Sequence, residues 1–429
     1  MAKNKTKVAT QEPLVLDGRH LEGGGQLIRI AICLSALTSK PIQIENVRGN
    51  RAGGGGLKAQ HLACVNWLAK ASNANISGAE KGSKTLLFSP GKLEGVVSPA
   101  FTECASKDGS HIYQTSLDIG TAGSTGLALQ AVLPFILFSN LPSHVPIHLR
   151  ISGGTNVSGS PSFEYIKHVL LPTLHRIGFP DIKASLGKRG WSQGGSSIGN
   201  FTLEIPPRRT RTLSSFKYRP DHTMSYNPCQ PSHLRAVIIA PTTCHDHFRS
   251  TLLPAIQQNF STDFTATSSN LSITCEGSLH AKRFYFILVA TVSSNGASST
   301  LQEYTLARDW LYDKKISSLD RTASEMVKRV TAELADEGRS GTFVDEHMRD
   351  QLVIFQALAS GKSEVYPGRN MEVADGPLRE PSLHARTAEW VAKMVLGVKF
   401  DSEGSCEGVG FGEGQDVATL AKGLDQLQL

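Results

Sequence analysis

The chain has 429 residues, of which 40% are hydrophobic and 19% charged, and its 44 basic and 38 acidic side chains give a net charge of +6. This composition predicts a folded globular protein with a large core, and it excludes a disordered chain or one that needs disulfides for stability. The positive excess is small for this length, so it allows a nucleic-acid partner without requiring one.

The cysteines and apolar segments predict an intracellular protein. The seven cysteines are odd in number and widely spaced, without a Cys-x-x-Cys pair, which indicates reduced thiols. The N-terminus is polar and lacks the apolar segment of a secretory signal. The longest apolar run, residues 127–138, is shorter than the roughly 20 residues of a membrane span. We therefore expect no membrane partner.

A unit made of a short strand, a loop rich in Gly, Ser or Thr, and an amphipathic helix recurs along the chain. Because strands alternate with helices, the pattern predicts an α/β fold of layered α+β type with repeated units. Strands are expected at about residues 14–16, 42–47 and 145–151. Helices are expected at about residues 26–38, 57–71, 127–138, 162–177, 319–336, 343–359 and 383–396.

The composition changes at about Pro206, where Pro, Ser and basic residues become frequent. This change predicts a domain boundary. We interpret residues 206–318 as a small α/β domain inserted into a main domain formed by residues 14–205 and 319–400. Residues 1–13 are expected to form a flexible N-terminus, and residues 401–429 a C-terminal tail.

The segment Glu22–Gln26 places three consecutive glycines at the start of the first predicted helix. Glycines there let backbone N–H groups approach a phosphate, and the helix dipole favours the anion. Beside such a site Glu22 suits a divalent cation, and Arg29, one turn into the helix, suits a phosphate. The segment matches neither the P-loop nor the dinucleotide-binding pattern. A flexible turn with a helix cap is the alternative.

A second pair of cations precedes another glycine run and another helix. Arg48 and Arg51 are followed by Gly53–Gly56, and Gln60 and His61 lie just beyond. Two arginines at this spacing suit a phosphate clamp. Alone, they would be interpreted as surface charges, but the repeated arrangement of glycines and helix start favours the clamp.

Two later helices carry polar residues suited to chemistry. His347, Asp350 and Gln351 share one helix face and could line a cleft, although a solvated polar face is the alternative. Ser382 is a candidate N-cap that places His384 in the first helical turn, where the positive helix end favours a neutral imidazole. A structural histidine is the alternative there. The segment Cys244–His247 lacks a second metal-ligand pair and predicts a polar loop.

Taken together and in this order, these motifs resemble the RNA 3'-terminal phosphate cyclase family, over about residues 14–400. The matching elements are Asp17-Gly18, Glu22–Arg29, Arg48-x-x-Arg51, Gly56-Leu57-x-x-Gln60-His61, Thr121–Ser124 with Gln130, Gly153–Asn156, Asp350–Leu352 and Leu383-His384-x-x-Thr387. The resemblance implies a large domain of three units, each a four-stranded sheet with two helices, plus a small inserted α/β domain.

The resemblance also implies an activity, that of a ligase that forms a phosphoric ester bond. A histidine takes AMP from ATP, the AMP passes to an RNA 3'-phosphate, and the neighbouring 2'-OH displaces it to close a 2',3'-cyclic phosphate. The implied cofactors are ATP and Mg²⁺ or Mn²⁺. The implied partner is RNA with a 3'-terminal phosphate, and the expected location is the nucleus (nucleoplasm).

Residue roles follow from the resemblance by position. His384 is the nucleophile, and Glu22 is a second catalytic residue and the metal ligand. The implied ATP-binding residues are Gln130, Pro161, His347, Asp350 and Gln351. The residues implied to hold substrate phosphates are Arg29, Arg48, Arg51 and Gln60.

The chain departs from the family pattern at four places. His347 stands where Tyr is common, and Gly53–Gly56 lacks the usual proline and is one residue longer. A motif after Arg189 is partial, and a Gly-x-Arg-Gly signature is not recognisable around Arg308.

Two alternative functions stay open at this point. One is a non-catalytic cyclase-like protein that binds ribosomal RNA precursors, although relatives in that role lack both the glycine loop and the histidine. The other is an enolpyruvyl-transferase-like enzyme, which shares only the repeated architecture.

Overall fold

The computed structural model describes residues 12–412, except for residues 52, 92–97, 107–108, 140–144, 209–211, 220–230, 261–266, 268, 296–300 and 371–375. Residues 1–11 of the predicted N-terminus and 413–429 of the predicted tail lie outside the described residues, as does Cys229. The six other cysteines are free thiols, as predicted. No helix in the described part of the chain has the length and apolar character to cross a membrane.

The first sheet carries both glycine-rich motifs in the segments that lead from its strands into its helices. Its strands are β1 (Leu14–Asp17), β2 (Ile42–Glu45), β3 (Asn75–Ser77) and β4 (Leu86–Ser89), in the order β1-β2-β4-β3. Its helices are α1 (Gly25–Thr38) and α2 (Ala59–Ala71). Every residue of α1 is buried, which suits its nearly uniform apolar sequence, because a helix that is hydrophobic all round belongs in a core.

The second sheet follows the same plan. Its strands are β5 (Thr102–Ala105), β6 (His111–Asp118), β7 (Ile147–Gly153), β8 (Lys183–Lys188) and β9 (Gly199–Ile205), in the order β5-β6-β7-β9-β8. Helix α3 (Thr125–Phe138) connects the parallel strands β6 and β7. A continuous helical segment comprises α4 (Phe163–Tyr165), a π-helical turn (Ile166–Leu170) and α5 (Leu171–Arg176). Helix α3 packs on α1 and α2.

After the short strand β10 (Lys217–Tyr218), a third sheet forms within residues 231–311. Its strands are β11 (Pro231–Ala240), β12 (Leu271–Gly277), β13 (Tyr285–Asn295) and β14 (Leu301–Leu311), in the order β12-β11-β13-β14. Helices α6 (His245–Asn259) and α7 (Leu319–Arg339) pack against each other, and α7 packs on β13 and β14. The loop predicted for Cys244–His247 is wrong, because Cys244 ends a 3₁₀ turn and His245 begins α6.

The last elements include two helices that pack on helices of the first two sheets. These elements are α8 (Glu346–Leu358), β15 (Ser360–Val365), α9 (Leu383–Leu396) and β16 (Ser405–Val409). Strand β15 pairs with β10 in parallel and with β16 in antiparallel orientation, so both the predicted insert and the predicted tail contribute a strand to this sheet. Helix α9 packs on α1 and α8.

The α/β class with several small mixed sheets is confirmed. In the described residues, the three sheets outside residues 231–311 have four, five and three strands. The helices agree with the periodicity to within a few residues, and α9 begins and ends as predicted. The domain boundaries at residues 206 and 318 stay a prediction.

Candidate active site

A cavity of about 1020 Å³ lies where several helices begin. The first two turns of α1, α2, α3, α8 and α9 each contribute at least one lining residue. The N-terminal end of a helix carries a partial positive charge and free N–H groups. The convergence of five such ends therefore makes the cavity suited to an anionic ligand.

The lining residues fall into two groups by origin. Five basic side chains, with the carboxylate Glu22 beside them, come from α1 and the loops of the first sheet: Arg29, Arg48, Arg51, Lys58 and Lys81. Aromatic and carboxyl side chains come from the end of β14 and from neighbouring elements: Tyr165, Tyr285, Asp309, Trp310 and Asp350. One further arginine, Arg329 of α7, belongs to this second group and lies over the ring of Trp310. A ligand with a phosphate-bearing end and an aromatic end matches this separation.

Ten of the residues implied by the family resemblance line this one cavity. They are Glu22, Arg29, Arg48, Arg51, Gln60, Pro161, His347, Asp350, Gln351 and His384. Gln130 is absent from the lining and lies buried behind Arg29. It accepts a 2.8 Å hydrogen bond from Arg29 Nε and donates a 3.5 Å bond to Asp350 Oδ1. Gln130 therefore connects two lining residues, and its contact with ATP stays a prediction.

Glu22 connects the glycine loop to α9. Its Oε1 forms an ion pair with Arg51 and lies 3.7 Å from Nδ1 of His384. Its Oε2 accepts a hydrogen bond from the backbone N–H of Gln26, and its own N–H donates to Oγ1 of Thr387, both at 3.2 Å. Burial opposes ionisation, but the hydrogen bond from Arg51 and the nearby positive charges outweigh it and lower the pKa of Glu22.

His384 is the second residue of α9, and its backbone position follows from a confirmed cap. Oγ of Ser382 accepts a 3.1 Å hydrogen bond from the backbone N–H of Ala385. Partial burial lowers the pKa of His384, and although Glu22 opposes this shift, Arg29 adds to it. The lowered pKa favours the neutral form of the ring, and Nε2 is the nitrogen not directed at Glu22.

Asp350 and Arg29 lie on opposite sides of Gln130. Loss of solvent raises the pKa of Asp350 to about 7, although the charges of His347 and Arg29 act in the opposite direction. Arg29 is 4% exposed, and its Nη2 donates a 2.6 Å hydrogen bond to Oε1 of Gln26. Near neutral pH the Asp350 carboxyl group can therefore act either as a donor or as an acceptor.

Among the lining residues from the loops and helices of the first sheet, three side chains that can carry a positive charge had no assigned role in the sequence analysis. Two of them, Lys58 and Lys81, come together because backbone hydrogen bonds join their loops: Leu57 N–H donates to Ser83 O at 3.0 Å, and Gly82 N–H donates to Leu57 O at 2.9 Å. No local pattern predicts this pairing of loops. The third, His61, follows Gln60 directly, and its position beside a predicted phosphate ligand was the available signal.

The places where the chain departs from the family pattern have structural counterparts. His347 is exposed and lies with its ring centroid 6.3 Å from that of Tyr165. Arg308 forms an ion pair with buried Glu337 and approaches Nε2 of His347 at 3.4 Å. Arg189 pairs with Glu164 at 2.7 Å and with Glu276 of β12. Arg189 therefore joins α4 to the sheet within residues 231–311.

Comparisons with known proteins found relatives over most of the chain. Residues 20–402 match the sequence model described as RNA 3'-terminal phosphate cyclase. The chain is 30% identical to the RNA 3'-terminal phosphate cyclase of Methanosarcina mazei over 391 residues, which are 90% of this chain and 95% of the relative. Identity to the protein of that name from Pyrococcus furiosus is 27% over 409 residues, 95% and 99% of the two chains. A segment of 184 residues is 39% identical to the Saccharolobus islandicus protein of that name, covering 43% and 48%.

Proposed function

The chain belongs to the RNA 3'-terminal phosphate cyclase family, and from this premise we propose that it converts an RNA 3'-phosphate into a 2',3'-cyclic phosphate with ATP as co-substrate. The observation that carries the proposal is the grouping of His384, Glu22 and Arg51 in one cavity at converging helix starts. A histidine kept neutral beside arginines suits nucleophilic attack on a phosphate.

The proposed reaction has three steps. Nε2 of His384 attacks the α-phosphorus of ATP, so that a P–N bond forms and the bond to pyrophosphate breaks. An oxygen of the RNA 3'-phosphate then attacks the phosphorus of the bound AMP, breaks the P–N bond and frees His384. In the last step the RNA 2'-OH loses its proton and its oxygen attacks the phosphorus that is bonded to the RNA 3'-oxygen. This attack closes the 2',3'-cyclic phosphate and releases AMP.

One group of lining residues would bind phosphates, and the other would bind the nucleoside of ATP. Arg29, Arg48, Arg51 and Gln60 would hold phosphate oxygens, because guanidinium and amide N–H groups are good donors to such oxygens. On the other side, Pro161, His347 and Gln351 would contact the nucleoside together with Asp350 and its partner Gln130. This arrangement would place the α-phosphate of ATP between the two groups, near His384.

Glu22 fits the expected divalent cation, Mg²⁺ or Mn²⁺. No group of three His, Cys, Asp or Glu side chains within the described residues could hold a metal ion. Mg²⁺ is commonly held by one or two carboxylates together with substrate phosphates, so Glu22 alone is a sufficient protein ligand. When bound, the cation would supply positive charge that stabilises the phosphates. Arg51 already uses Oε1 of Glu22 and would compete with the cation for that oxygen.

No feature of the cavity favours the non-catalytic alternative over the enzyme. A protein that only binds RNA needs neither a neutral histidine nor a buried carboxylate beside it. The nuclear location stays a prediction, and the three relatives named above lend it no support because they come from archaea, which have no nucleus.

Incubation with α-labelled ATP and Mg²⁺ or Mn²⁺ tests the proposal. We expect an acid-labile protein–AMP adduct, as a P–N bond predicts, and no adduct in His384→Ala. His111→Ala, a change of an exposed histidine outside the cavity, is the matched control and should keep the adduct. An adduct that persists in His384→Ala would remove His384 as the nucleophile. A wild-type protein that forms no adduct but binds RNA would support the non-catalytic alternative.

A further inference from the structure

Gly25, the first residue of α1, lets two buried side chains approach its backbone closely. A Cβ atom at this position would lie 2.6 Å from Nη1 of Arg29 and 2.6 Å from Nε2 of His61. All three residues line the cavity. Nitrogen atoms from α1 and α2 therefore converge beside Gly25, and we call the cavity surface in front of these two nitrogens the Gly25 niche.

The hydrogen bonding of His61 determines which ring nitrogen carries the proton. Nδ1 accepts a 3.2 Å hydrogen bond from the backbone N–H of Lys58, just before α2. A neutral imidazole has one donor and one acceptor nitrogen, so its proton lies on Nε2. Burial, together with the charges of Arg29, Arg48 and Lys58, lowers the pKa of His61 to about 3. His61 therefore presents a neutral N–H donor to the niche at working pH.

Arg29 is held with one amino group directed at the same point. Its Nε and Nη2 are occupied by Gln130 and Gln26, at 2.8 and 2.6 Å. Among the described residues, neither Nη1 of Arg29 nor Nε2 of His61 has a hydrogen-bond partner in the protein, and the two residues are only 4% and 3% exposed. Both nitrogens are accessible from the cavity, so they are free to donate hydrogen bonds to a ligand bound there.

We propose that the Gly25 niche binds one non-bridging phosphate oxygen, held by Nη1 of Arg29, Nε2–H of His61 and the positive end of α1, and that His61 is a positioning residue. A cation, a neutral donor and a helix N-terminus are the groups that suit such an oxygen. Glu22 lies close by and would repel a bare phosphate, so the site accords with a cation shared between Glu22 and the phosphate. The inference rests on the proposed function for the source of the phosphate, which is either the nucleotide or the RNA 3'-end.

A binding experiment tests the niche without any reaction. In protein labelled with ¹⁵N-histidine and supplied with Mg²⁺, we expect inorganic phosphate to shift the Nε2–H resonance of His61. The shift should disappear in Gly25→Ala, because the added methyl group would lie 2.6 Å from both donor nitrogens and force them apart. The left-handed backbone region is not used at Gly25, so alanine fits the backbone, and circular dichroism checks the fold. A wild-type resonance that does not respond, or one that responds equally in Gly25→Ala, would overturn the proposal.

A pair of His61 variants distinguishes positioning from a structural role. His61→Gln keeps a donor near the position of Nε2, whereas His61→Asn keeps an acceptor near Nδ1 for the Lys58 N–H but lacks the donor. Positioning predicts that the Asn variant loses about tenfold to 100-fold in rate, the value of a hydrogen bond to a charged group, and that Gln recovers most of it. A purely structural role predicts the reverse order, with Gln less thermally stable than Asn.

Separate measurement of the two half-reactions identifies the source of the phosphate. A loss confined to adenylylation by ATP alone assigns the niche to the nucleotide, and a loss confined to AMP transfer assigns it to the RNA end. If the wild-type protein forms no adduct at all, the proposed function fails while the phosphate titration still decides the niche. If both His61 variants unfold, the Gly25→Ala titration decides it.

Discussion

At the scale of single residues, Asp350 shows how burial changes one carboxyl group. It lies on α8 within reach of Gln130, and removal from water raises its pKa to about 7. An unfolded chain has an aspartate pKa of about 3.9. Between about pH 4 and pH 7 the folded state therefore keeps a proton that the unfolded state has lost. The contribution of Asp350 to stability is present below about pH 4 and is lost as the pH rises through about 7.

Asp350→Asn should remove this pH dependence. We expect the free energy of unfolding of the variant minus that of wild type to be about 2 kcal/mol larger at about pH 8 than at about pH 5.5, so the variant gains relative stability as the pH rises. Urea unfolding of both proteins at the two pH values measures the difference. Asp181→Asn, a change of a surface aspartate, is the matched control. A difference that does not change with pH would mean that Asp350 ionises normally in the folded protein.

At the scale of elements, the candidate active-site cavity depends on helix starts and their caps. Side-chain oxygens of Ser124, Asp345 and Ser382 accept hydrogen bonds from the first turns of α3, α8 and α9. Each cap satisfies an N–H group that would otherwise lack a partner and sets the direction in which the first turn points. Thr387 of α9 also accepts the backbone N–H of Glu22 at 3.2 Å, so the cap of α9 influences both members of the Glu22–His384 pair.

Ser382→Ala should therefore affect stability and adenylylation together. Loss of the hydrogen bond to Ala385 N–H should cost about 1 kcal/mol, measured by thermal unfolding. Because His384 lies in the turn that the cap orders, the rate of adduct formation from labelled ATP should fall as well. Ser382→Thr, which keeps the hydroxyl group, should restore both. A lower melting temperature with an unchanged adenylylation rate would show that the cap stabilises α9 without positioning His384.

At the scale of the whole molecule, the cavity joins segments that are far apart in the chain. Tyr285, Asp309 and Trp310, from within residues 231–311, face the same space as Lys58 and Lys81 from loops of the first sheet. The lining lysines of these loops are exposed and suit the phosphates that precede an RNA 3'-end. Such contacts act through charge, so the affinity for RNA should fall as the salt concentration rises.

Lys81→Ala tests this basic side of the cavity. Loss of one phosphate contact should reduce the slope of log affinity against log salt by about 0.7 for single-stranded RNA. The measurement is RNA binding at several salt concentrations, with an oligonucleotide that ends in a 3'-phosphate. Lys399→Ala removes an exposed lysine that does not line the cavity and should leave the slope unchanged. Equal slopes for wild type and Lys81→Ala would exclude Lys81 from the RNA path.

The amino-acid sequence alone predicted the α/β class, most of the helices and ten residues that the structure brings into one cavity. Periodicity and caps are local properties, so α9 and its cap at Ser382 could be predicted without knowledge of the rest of the molecule. The ordered motifs likewise predicted that Glu22 and His384 belong to one site. Their separation along the chain did not hinder this prediction, because each residue is recognised within its own short motif. These parts depend on neighbouring residues alone, or on the order of motifs.

Only the tertiary structure decided how these residues are arranged. Gln130 lies behind Arg29 instead of in the cavity lining, Gly25 and His61 face each other across two helices, and residues 245–247 begin a helix where a loop was predicted. The raised pKa of Asp350 likewise could not be predicted, since it depends on which distant segments exclude water. Contacts between remote segments and the burial they produce are properties of packing, which no local pattern contains.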